Sequence, residues 1–207
     1  KIKKINPDII VLTGDLINRD VHYNRDTYLL LKELEAVDKP VYFVTGNHEE
    51  LNPRLEDLYE LLEELDFTDL NFKSQTIKIK NEYIDIYGIP FFFKDEEVKF
   101  LENIPTTNYS ILLSHSHIKA IDLKNVKPDL ILSGHTHGGQ IRLPFISKIL
   151  SIKEPILYKK NLMGVYTKGL YKIEDRNIYV DSGLGSKTGT LRFFNRTQIS
   201  YIKIKKS

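Results

Sequence analysis

The sequence predicts an α/β fold built around a mixed sheet. Short apolar runs typical of buried strands alternate with stretches whose apolar residues recur at helical spacing. In the middle and toward the end of the chain the pattern changes to strict alternation of apolar and polar residues, which indicates a hairpin and further strands. No repeat, low-complexity segment or linker interrupts the 207 residues. We therefore expect a single domain over residues 1–207.

The first half of the chain alternates strands and helices. Leu30, Leu31 and Leu34 recur at the spacing of one helix face. Pro53 suits the first turn of a second helix, for which Asn52 is the expected cap. In chain order the elements predicted here are a strand over 8–13, a helix over 28–37, a strand over 41–45, and a helix from Pro53 to about Leu65.

The second half of the chain contains most of the predicted strands. The Asn81-Glu82 pair separates two alternating runs and so predicts a hairpin. Asp95 is the expected cap of a short helix. In chain order the elements predicted here are hairpin strands over 76–80 and 83–87, a helix over 95–101, buried strands over 110–114 and 129–133, and alternating strands over 170–173, 178–180 and 199–204.

Composition excludes several classes of protein. Hydrophobic residues make up 41% and charged residues 28% of the chain, which excludes a disordered or collagen-like protein. The chain has no cysteine, so disulfides, thiolate metal sites and cysteine nucleophiles are excluded. The net charge is +2 and the lysines are scattered, so we expect no stable nucleic-acid partner. The apolar runs are far shorter than the roughly 20 residues that a membrane span needs.

Polar residues of metal-ligand type follow four of the predicted buried strands. The carboxyl ends of strands in an open α/β sheet form a shared binding crevice, so these residues can converge on one spot. Five of the six histidines lie within or just after these strand ends, and divalent transition metals bind imidazole and carboxylate groups. A structural zinc site is the alternative, but such sites are usually rich in cysteine. The four segments are Gly14-Asp15, Gly46-Asn47-His48-Glu49, His115, and Gly134-His135-Thr136-His137-Gly138-Gly139.

In order and spacing, these four segments resemble the motifs of the calcineurin-like metallophosphoesterases over nearly the whole chain. The extension of the last segment through Gln140, Ile141 and Pro144 resembles a narrower subgroup that contains bacterial phosphodiesterases, some of them membrane-tethered or exported. The resemblance implies a four-layer αββα sandwich of two mixed sheets flanked by helices. Two later segments also fit that subgroup, namely Tyr179-Val180-Asp181-Ser182-Gly183-Leu184-Gly185 and Leu191-Arg192.

The resemblance implies a binuclear metal centre. Its cofactors would be two divalent metal ions: manganese, zinc, iron or similar. Asp15 would bridge the two ions. Asn47, His115 and His135 would complete the protein ligands of one ion, and His137 would help to bind the other.

The resemblance also implies the reaction. His48 would be the catalytic residue, since it would lie over the substrate phosphate and protonate the leaving oxygen, with Glu49 orienting it. A hydroxide shared by the two metals would attack phosphorus. We therefore expect hydrolysis of phosphodiester or pyrophosphate bonds in a phosphate-ester substrate that is lipid- or nucleotide-linked.

One motif of the family is absent from this sequence. The family carries an Asp-x-His on a strand upstream of Gly14-Asp15, where it supplies two ligands of the second metal, and this chain begins just before the Asp15 strand. We expect the domain to lack its first strand and the second metal site to be incomplete. Either the chain is an N-terminally truncated fragment, whose missing segment could carry a membrane tether, or the protein has lost one metal site. Asp20-Val21-His22 has the right residue types in the wrong place.

Two other functions stay open at this point. One is a catalytically inactive metal-binding scaffold. The other is a mononuclear zinc hydrolase that uses Asp15, His115, His135 and His137. His117 matches no ligand of the family, and we expect it to be a loop histidine. The sequence does not predict the compartment or the oligomeric state.

Overall fold

The computed structural model describes nine strands and five α-helices within residues 1–20, 25–104, 107–123, 125–139, 166–173, 175–185, 192 and 194–205. The helices are α1 (Ile2–Ile5), α2 (Arg25–Glu35), α3 (Asn47–Glu50), α4 (Leu55–Glu64) and α5 (His117–Asp122). The strands are β1 (Ile10–Leu12), β2 (Val41–Phe43), β3 (Thr68–Asp69), β4 (Lys73–Ile79), β5 (Glu82–Ile89), β6 (Tyr109–Ser114), β7 (Leu130–Ser133), β8 (Gly169–Ile173) and β9 (Arg176–Val180). None of the helices in these ranges is long and apolar enough to cross a membrane.

The strands form two sheets. The smaller sheet has the order β1-β2-β3, and all of its pairs are parallel. The larger sheet is mixed, with the order β4-β5-β6-β7-β9-β8, and its four central strands are parallel. The antiparallel strands β4 and β8 lie at its two edges. The carboxyl ends of β5, β6, β7 and β9 therefore lie at one edge of the larger sheet.

The buried side chains divide the molecule into four layers, which confirms the predicted sandwich. Alternate residues of β2 point to opposite faces of the smaller sheet, as the two-residue period of a strand requires. Phe43 packs with Leu31 of α2 and Leu58 of α4, whereas Tyr42 packs with Leu113 of β6 in the core between the sheets. A third cluster covers the far face of the larger sheet and includes Leu112, Ile131 and Ala120. The order of layers is helices, smaller sheet, larger sheet, helix α5.

The helix predicted from Pro53 to about Leu65 is present as α4, which begins two residues later. The prediction of Asn52 as the cap is wrong: Arg54 is the N-cap residue and makes no side-chain cap hydrogen bond. The Oδ1 atom of Asn52 instead accepts a hydrogen bond from the backbone N–H of Arg54 at 2.8 Å, which forms a turn just before the helix.

The predicted apolar face of α2 is confirmed for Leu31 and Leu34, which are both buried. Leu30 is 37% exposed and does not belong to this face, because successive helical residues point about 100° apart.

Two predicted elements are wrong. Residues 95–98 form turns and are followed by a 3₁₀ segment at Lys99–Asn103, with no α-helix capped by Asp95. The buried residues Val98 and Leu101 are three apart, which matches the period of a 3₁₀ turn. The expected strand over 199–204 is also not formed, and Tyr201 at 60% exposure lies on the surface. Alternation alone does not make a strand, which also needs a neighbouring strand to pair with.

Candidate metal centre

The loops that follow four strands meet at one point between the two sheets. Asp15 follows β1, Asn47 follows β2, His115 follows β6 and His135 follows β7. The loops after β1 and β2 pack backbone against backbone: a Cβ added to Gly14 would lie 2.4 Å from the backbone nitrogen of Gly46. The lack of side chains at these two glycines allows the two loops to lie side by side.

Three side chains of the described residues form a compact group of metal-ligand atoms: Asp15, His115 and His135. The Nε2 atom of His115 lies 3.2 Å from Oδ2 of Asp15 and 3.0 Å from Nδ1 of His135. Ligand atoms placed about 2.0–2.2 Å from one zinc-like ion are separated by distances of this order. His115 is almost fully buried, so the group lies in the interior end of the crevice.

A carbonyl group fixes the orientation of the His115 ring. The Nδ1 atom of His115 donates a hydrogen bond to the backbone oxygen of Thr13 at 2.6 Å. Nε2 is therefore the nitrogen that faces Asp15 and His135. Histidines that bind metals usually donate their second N–H in this way, which holds the ring in one tautomer.

Asn47 supplies an independent indication that a ligand is bound here. Its Oδ1 atom is buried and accepts no hydrogen bond from the residues that the structure describes. Because a buried acceptor without a partner is costly, a cation at this position would satisfy it. Carboxylate, imidazole and amide oxygen together suit a hard or borderline divalent ion, so the residues present fit the metal that the sequence predicts.

Glu49 connects the loops that carry the candidate ligands. Its buried carboxylate accepts hydrogen bonds from the backbone N–H groups of Asp15 at 2.7 Å, Gly46 at 2.8 Å and Ile17 at 3.0 Å. The expectation that Glu49 orients the His48 side chain stays untested, since the bonds described go to backbone. The sequence does carry a signal for the backbone role: an acid three residues after Gly46 is typical of a helix N-terminus.

The structure places His48 and His137 beside the three-residue group. The backbone N–H of His48 donates to Oδ1 of Asp15 at 3.0 Å, and the partly exposed imidazole follows at the start of α3. His137 lies outside the group, with its Nδ1 3.4 Å from a guanidinium nitrogen of Arg192. The resemblance included Leu191-Arg192 among the matching segments, but it assigned Arg192 no role at the site.

The expectation for His117 is wrong. His117 is the first residue of α5 and only 1% exposed, and neither ring nitrogen has a hydrogen-bond partner. Burial lowers its pKa to about 4, so the ring is neutral at pH 7. Its neighbour in the core is Tyr166, with ring centroids 6.4 Å apart. Several other residues of the motifs lie outside the described part of the chain: His22, Gln140, Ile141, Pro144 and Leu191.

The protonation states of the group follow from burial and from its own charges. Burial raises the pKa of Asp15, but the hydrogen bond and charge of His115 lower it more, so the net pKa lies below its ordinary value. Burial lowers the pKa of His115, and the bond with Asp15 raises it above its ordinary value. Burial, with the nearby His115, lowers the pKa of His135 to about 4. Burial and the charge of Arg192 lower the pKa of His137.

Three of the candidate residues have a left-handed backbone. Their φ angles are 59° at Asp15, 64° at His135 and 49° at His137. Non-glycine residues adopt this conformation rarely, and such residues cluster at functional sites. These angles set the directions in which the three side chains leave the loops.

Replacing Gly46 by alanine is expected to lower metal content and stability together. The new Cβ would lie 2.3 Å from Oδ1 of Asp15 and 2.9 Å from Cε1 of His115. Overpacking of this kind costs about 1–3 kcal/mol, and here it displaces two candidate ligands. The φ angle of Gly46 is −97°, so backbone strain does not add to the effect. Elemental analysis and thermal unfolding measure both quantities.

The matched control is Gly185→Ala, whose Cβ would meet no atom of the described residues within 4 Å. This variant should keep the metal content of the parent protein and its midpoint of thermal unfolding. A Gly46→Ala protein with full metal content and unchanged unfolding would contradict the described packing of the two loops.

Metal binding is expected to release about one proton per ion near pH 6. In the metal-free protein His115 is protonated at this pH because Asp15 raises its pKa, whereas Asp15 is ionised and His135 is neutral. A metal must displace the His115 proton, so the apparent affinity should rise with pH until His115 is neutral, and then level off. Calorimetry in buffers of different ionisation enthalpy measures the proton count. No proton release at pH 6 would contradict the described state of His115.

Two facing sheets between helices, with imidazole and carboxylate groups gathered at the strand ends, define an α/β protein built around a metal site. The family model for calcineurin-like phosphoesterases matches residues 1–139, and the chain belongs to this family. Members of the family are metal-dependent hydrolases of phosphoric esters, and the Asp15, His115 and His135 group is where this chain would hold its metal.

Relatives cover nearly the whole chain. The chain is 32% identical over 210 residues to the uncharacterized metallophosphoesterase YkuE of Bacillus subtilis, covering 99% of this chain and 70% of that protein. It is 29% identical to a zebrafish (Danio rerio) transmembrane protein with a metallophosphoesterase domain, covering 100% of this chain and 48% of that protein. Among solved structures, the NAD nucleotidase of Haemophilus influenzae aligns at a TM-score of 0.50 and 19% identity, over 84% of this chain and 36% of that one. The last match supports the fold alone.

Proposed function

We propose that the protein is a metal-dependent hydrolase of phosphodiester or pyrophosphate bonds. The observation that carries this proposal is the Asp15, His115 and His135 group, with the unpaired Oδ1 of Asn47 beside it. Asp15, Asn47, His115 and His135 would hold one divalent ion. When bound, such an ion supplies Lewis acidity to the phosphoryl group and to water.

The chain's own residues would carry the remaining steps. In the reaction water would add to phosphorus as hydroxide and give one proton to the solvent, the bond from phosphorus to the leaving oxygen would break, and protonated His48 would give its proton to that oxygen. His48 is suited to this role because its backbone is tied to Asp15 while its imidazole remains partly exposed in the crevice. General acid catalysis of this kind contributes roughly 10²–10⁴ in rate.

The number of metals is the part of the proposal that separates two enzymes. His137 would help to hold a second ion in a binuclear enzyme. A mononuclear enzyme is the second candidate, but its ligands would be Asp15, Asn47, His115 and His135. The ligand set with His137 that the sequence left open is not favoured, because His137 lies beside Arg192 rather than within the three-residue group. Metal stoichiometry at saturation distinguishes one ion from two.

Nucleotide-linked substrates fit the named activity of the nucleotidase that has a similar fold. The match to a transmembrane relative supports the further proposal that the natural protein is tethered to a membrane.

Hydrolysis of bis-p-nitrophenyl phosphate with added manganese, with and without chelator, tests the proposal. We expect chelator-sensitive turnover that returns when metal is restored. His135→Asn should lose both metal and turnover, whereas His117→Asn, a change in a second buried histidine outside the group, should keep its metal. Metal binding without turnover by the parent protein would favour the inactive scaffold instead.

A further inference from the structure

A run of three phenylalanines follows the carboxyl end of β5 and borders the candidate metal centre. The ring of Phe91 lies against both candidate ligand rings, with centroids 5.8 Å from His115 and 5.2 Å from His135. Phe92 packs edge-on to Phe91 and is 46% exposed. The run therefore forms part of the wall beside a phosphoester that binds at the metal centre.

Glu50 fixes this run in place. Its carboxylate accepts hydrogen bonds from the backbone N–H groups of Phe91 at 2.6 Å and Phe92 at 3.0 Å, and from the hydroxyl of Thr45 at 3.1 Å. Glu50 ends α3, the same short helix that carries Asn47 and His48. The phenylalanine wall is thus attached to the segment that carries the candidate ligand and the candidate acid.

A lysine ammonium group lies over this wall. The Nζ atom of Lys119 is 4.3 Å from the ring centroid of Phe91, 5.2 Å from that of Phe92 and 5.3 Å from that of Phe93. Within the described part of the chain Lys119 forms no direct ion pair with a carboxylate, although its charge acts on Glu50, where it opposes the rise in pKa that burial causes. Ring faces hold an ammonium group without neutralising its charge, so a positive charge with a defined position lies over a ring that contacts two candidate ligands.

We propose that Lys119 binds a second anionic group of the substrate, next to the phosphoryl group that is hydrolysed. This inference rests on the proposed function and makes it narrower: it selects substrates with two adjacent phosphoryl groups over diesters with uncharged leaving groups. Phe91 contacts both candidate ligand rings and also carries the Lys119 ammonium group, so a substrate whose reacting phosphoryl group is at the metal centre can place a neighbouring phosphoryl group near Lys119 along this wall. The aromatic rings fix the position of the ammonium group, and this group supplies the positive charge that binds the second anion.

The test compares two substrates that differ by one phosphoryl group: bis-p-nitrophenyl phosphate and P1,P2-di-p-nitrophenyl diphosphate. Lys119→Gln should raise KM for the diphosphate about tenfold or more, the size expected for one charged hydrogen bond, and leave kcat/KM for the monophosphate diester within about twofold. Lys119→Arg should retain most of the preference. The preference should also weaken with salt in the parent protein and not in Lys119→Gln.

Lys78→Gln is the matched control. Lys78 also lies over an aromatic ring, with Nζ 5.8 Å from the centroid of Tyr83, but Tyr83 is near the amino end of β5, away from the metal centre. This variant should leave KM and kcat/KM unchanged for both substrates. Calorimetric binding of the diphosphate to metal-free protein gives a readout without turnover, and Lys119→Gln should weaken it about tenfold.

The outcomes separate the two proposals. Equal loss on both substrates in Lys119→Gln, or no loss on either, overturns the role of Lys119 while hydrolysis by the parent protein still supports the proposed function. A parent protein that hydrolyses neither substrate overturns the proposed function. In that case the calorimetric binding of the diphosphate still tests Lys119. Unchanged binding by Lys119→Gln would overturn the role of Lys119, and weakened binding would support that role without supporting hydrolysis.

Discussion

Asp15→Asn is expected to lower turnover by at least about 10³-fold, beyond the loss typical of a single electrostatic donor. The carboxylate contributes to the centre twice: Oδ2 lies 3.2 Å from Nε2 of His115, and Oδ1 accepts the backbone N–H of His48 at 3.0 Å. An asparagine keeps the shape but is neutral, and its amide oxygen is a poorer ligand for a divalent ion. Elemental analysis should show metal content far below that of the parent protein.

The control for this change is Asp69→Asn. Asp69 also lies at the carboxyl end of a strand of the smaller sheet, but its carboxylate pairs with Lys73 at 3.1 Å and accepts the backbone N–H of Asn71. That variant should bind metal normally. If Asp15→Asn kept a full complement of metal, the assignment of Asp15 as a ligand would be wrong.

His48→Ala should lower turnover of substrates with poor leaving groups by roughly 10²–10⁴ while metal content stays near normal. The expected role of His48 is to donate a proton, and the described bond from His48 to Asp15 comes from the backbone, which alanine retains. The loss should shrink for p-nitrophenyl esters, whose leaving oxygen needs little protonation. Rates across a series of leaving groups, with metal content measured on the same samples, check both points.

His135→Ala is the comparison for His48→Ala. The Nδ1 atom of His135 lies 3.0 Å from Nε2 of His115, and His135 belongs to the ligand group. It should lose metal and activity together. If His48→Ala lost metal as completely as His135→Ala does, the assignment of His48 as a proton donor would be contradicted.

Local pattern was sufficient to predict the buried strands and the residues that follow them. The runs that became β1, β2, β6 and β7 are continuously apolar and bounded by glycine or polar residues, so both their existence and their carboxyl ends were predictable. The meeting of His115 and His135 was predictable, because the neighbouring parallel strands β6 and β7 present their carboxyl ends together. That Asp15 joins them depends on how the two sheets face each other, since β1 belongs to the smaller sheet.

The features that the sequence could not supply depend on contacts between distant segments. Alternation over 199–204 predicted a strand, yet the side chain of Ser200 bonds with Tyr179 and the backbone joins no strand ladder in the described residues. His117 read as a loop residue because helix α5 is one short turn and a half with few periodic positions. Nothing in the spacing of Lys119 and Phe91 along the chain indicates that they touch.

The most direct test of the central claim is the position of a metal ion in crystals of the protein grown with manganese. Anomalous scattering at the manganese edge should place an ion about 2.0–2.3 Å from a carboxylate oxygen of Asp15, Nε2 of His115 and the His135 ring, with Oδ1 of Asn47 completing the set. An ion bound elsewhere, with this group still joined only by its own hydrogen bonds while the same protein hydrolyses phosphodiesters, would contradict the account.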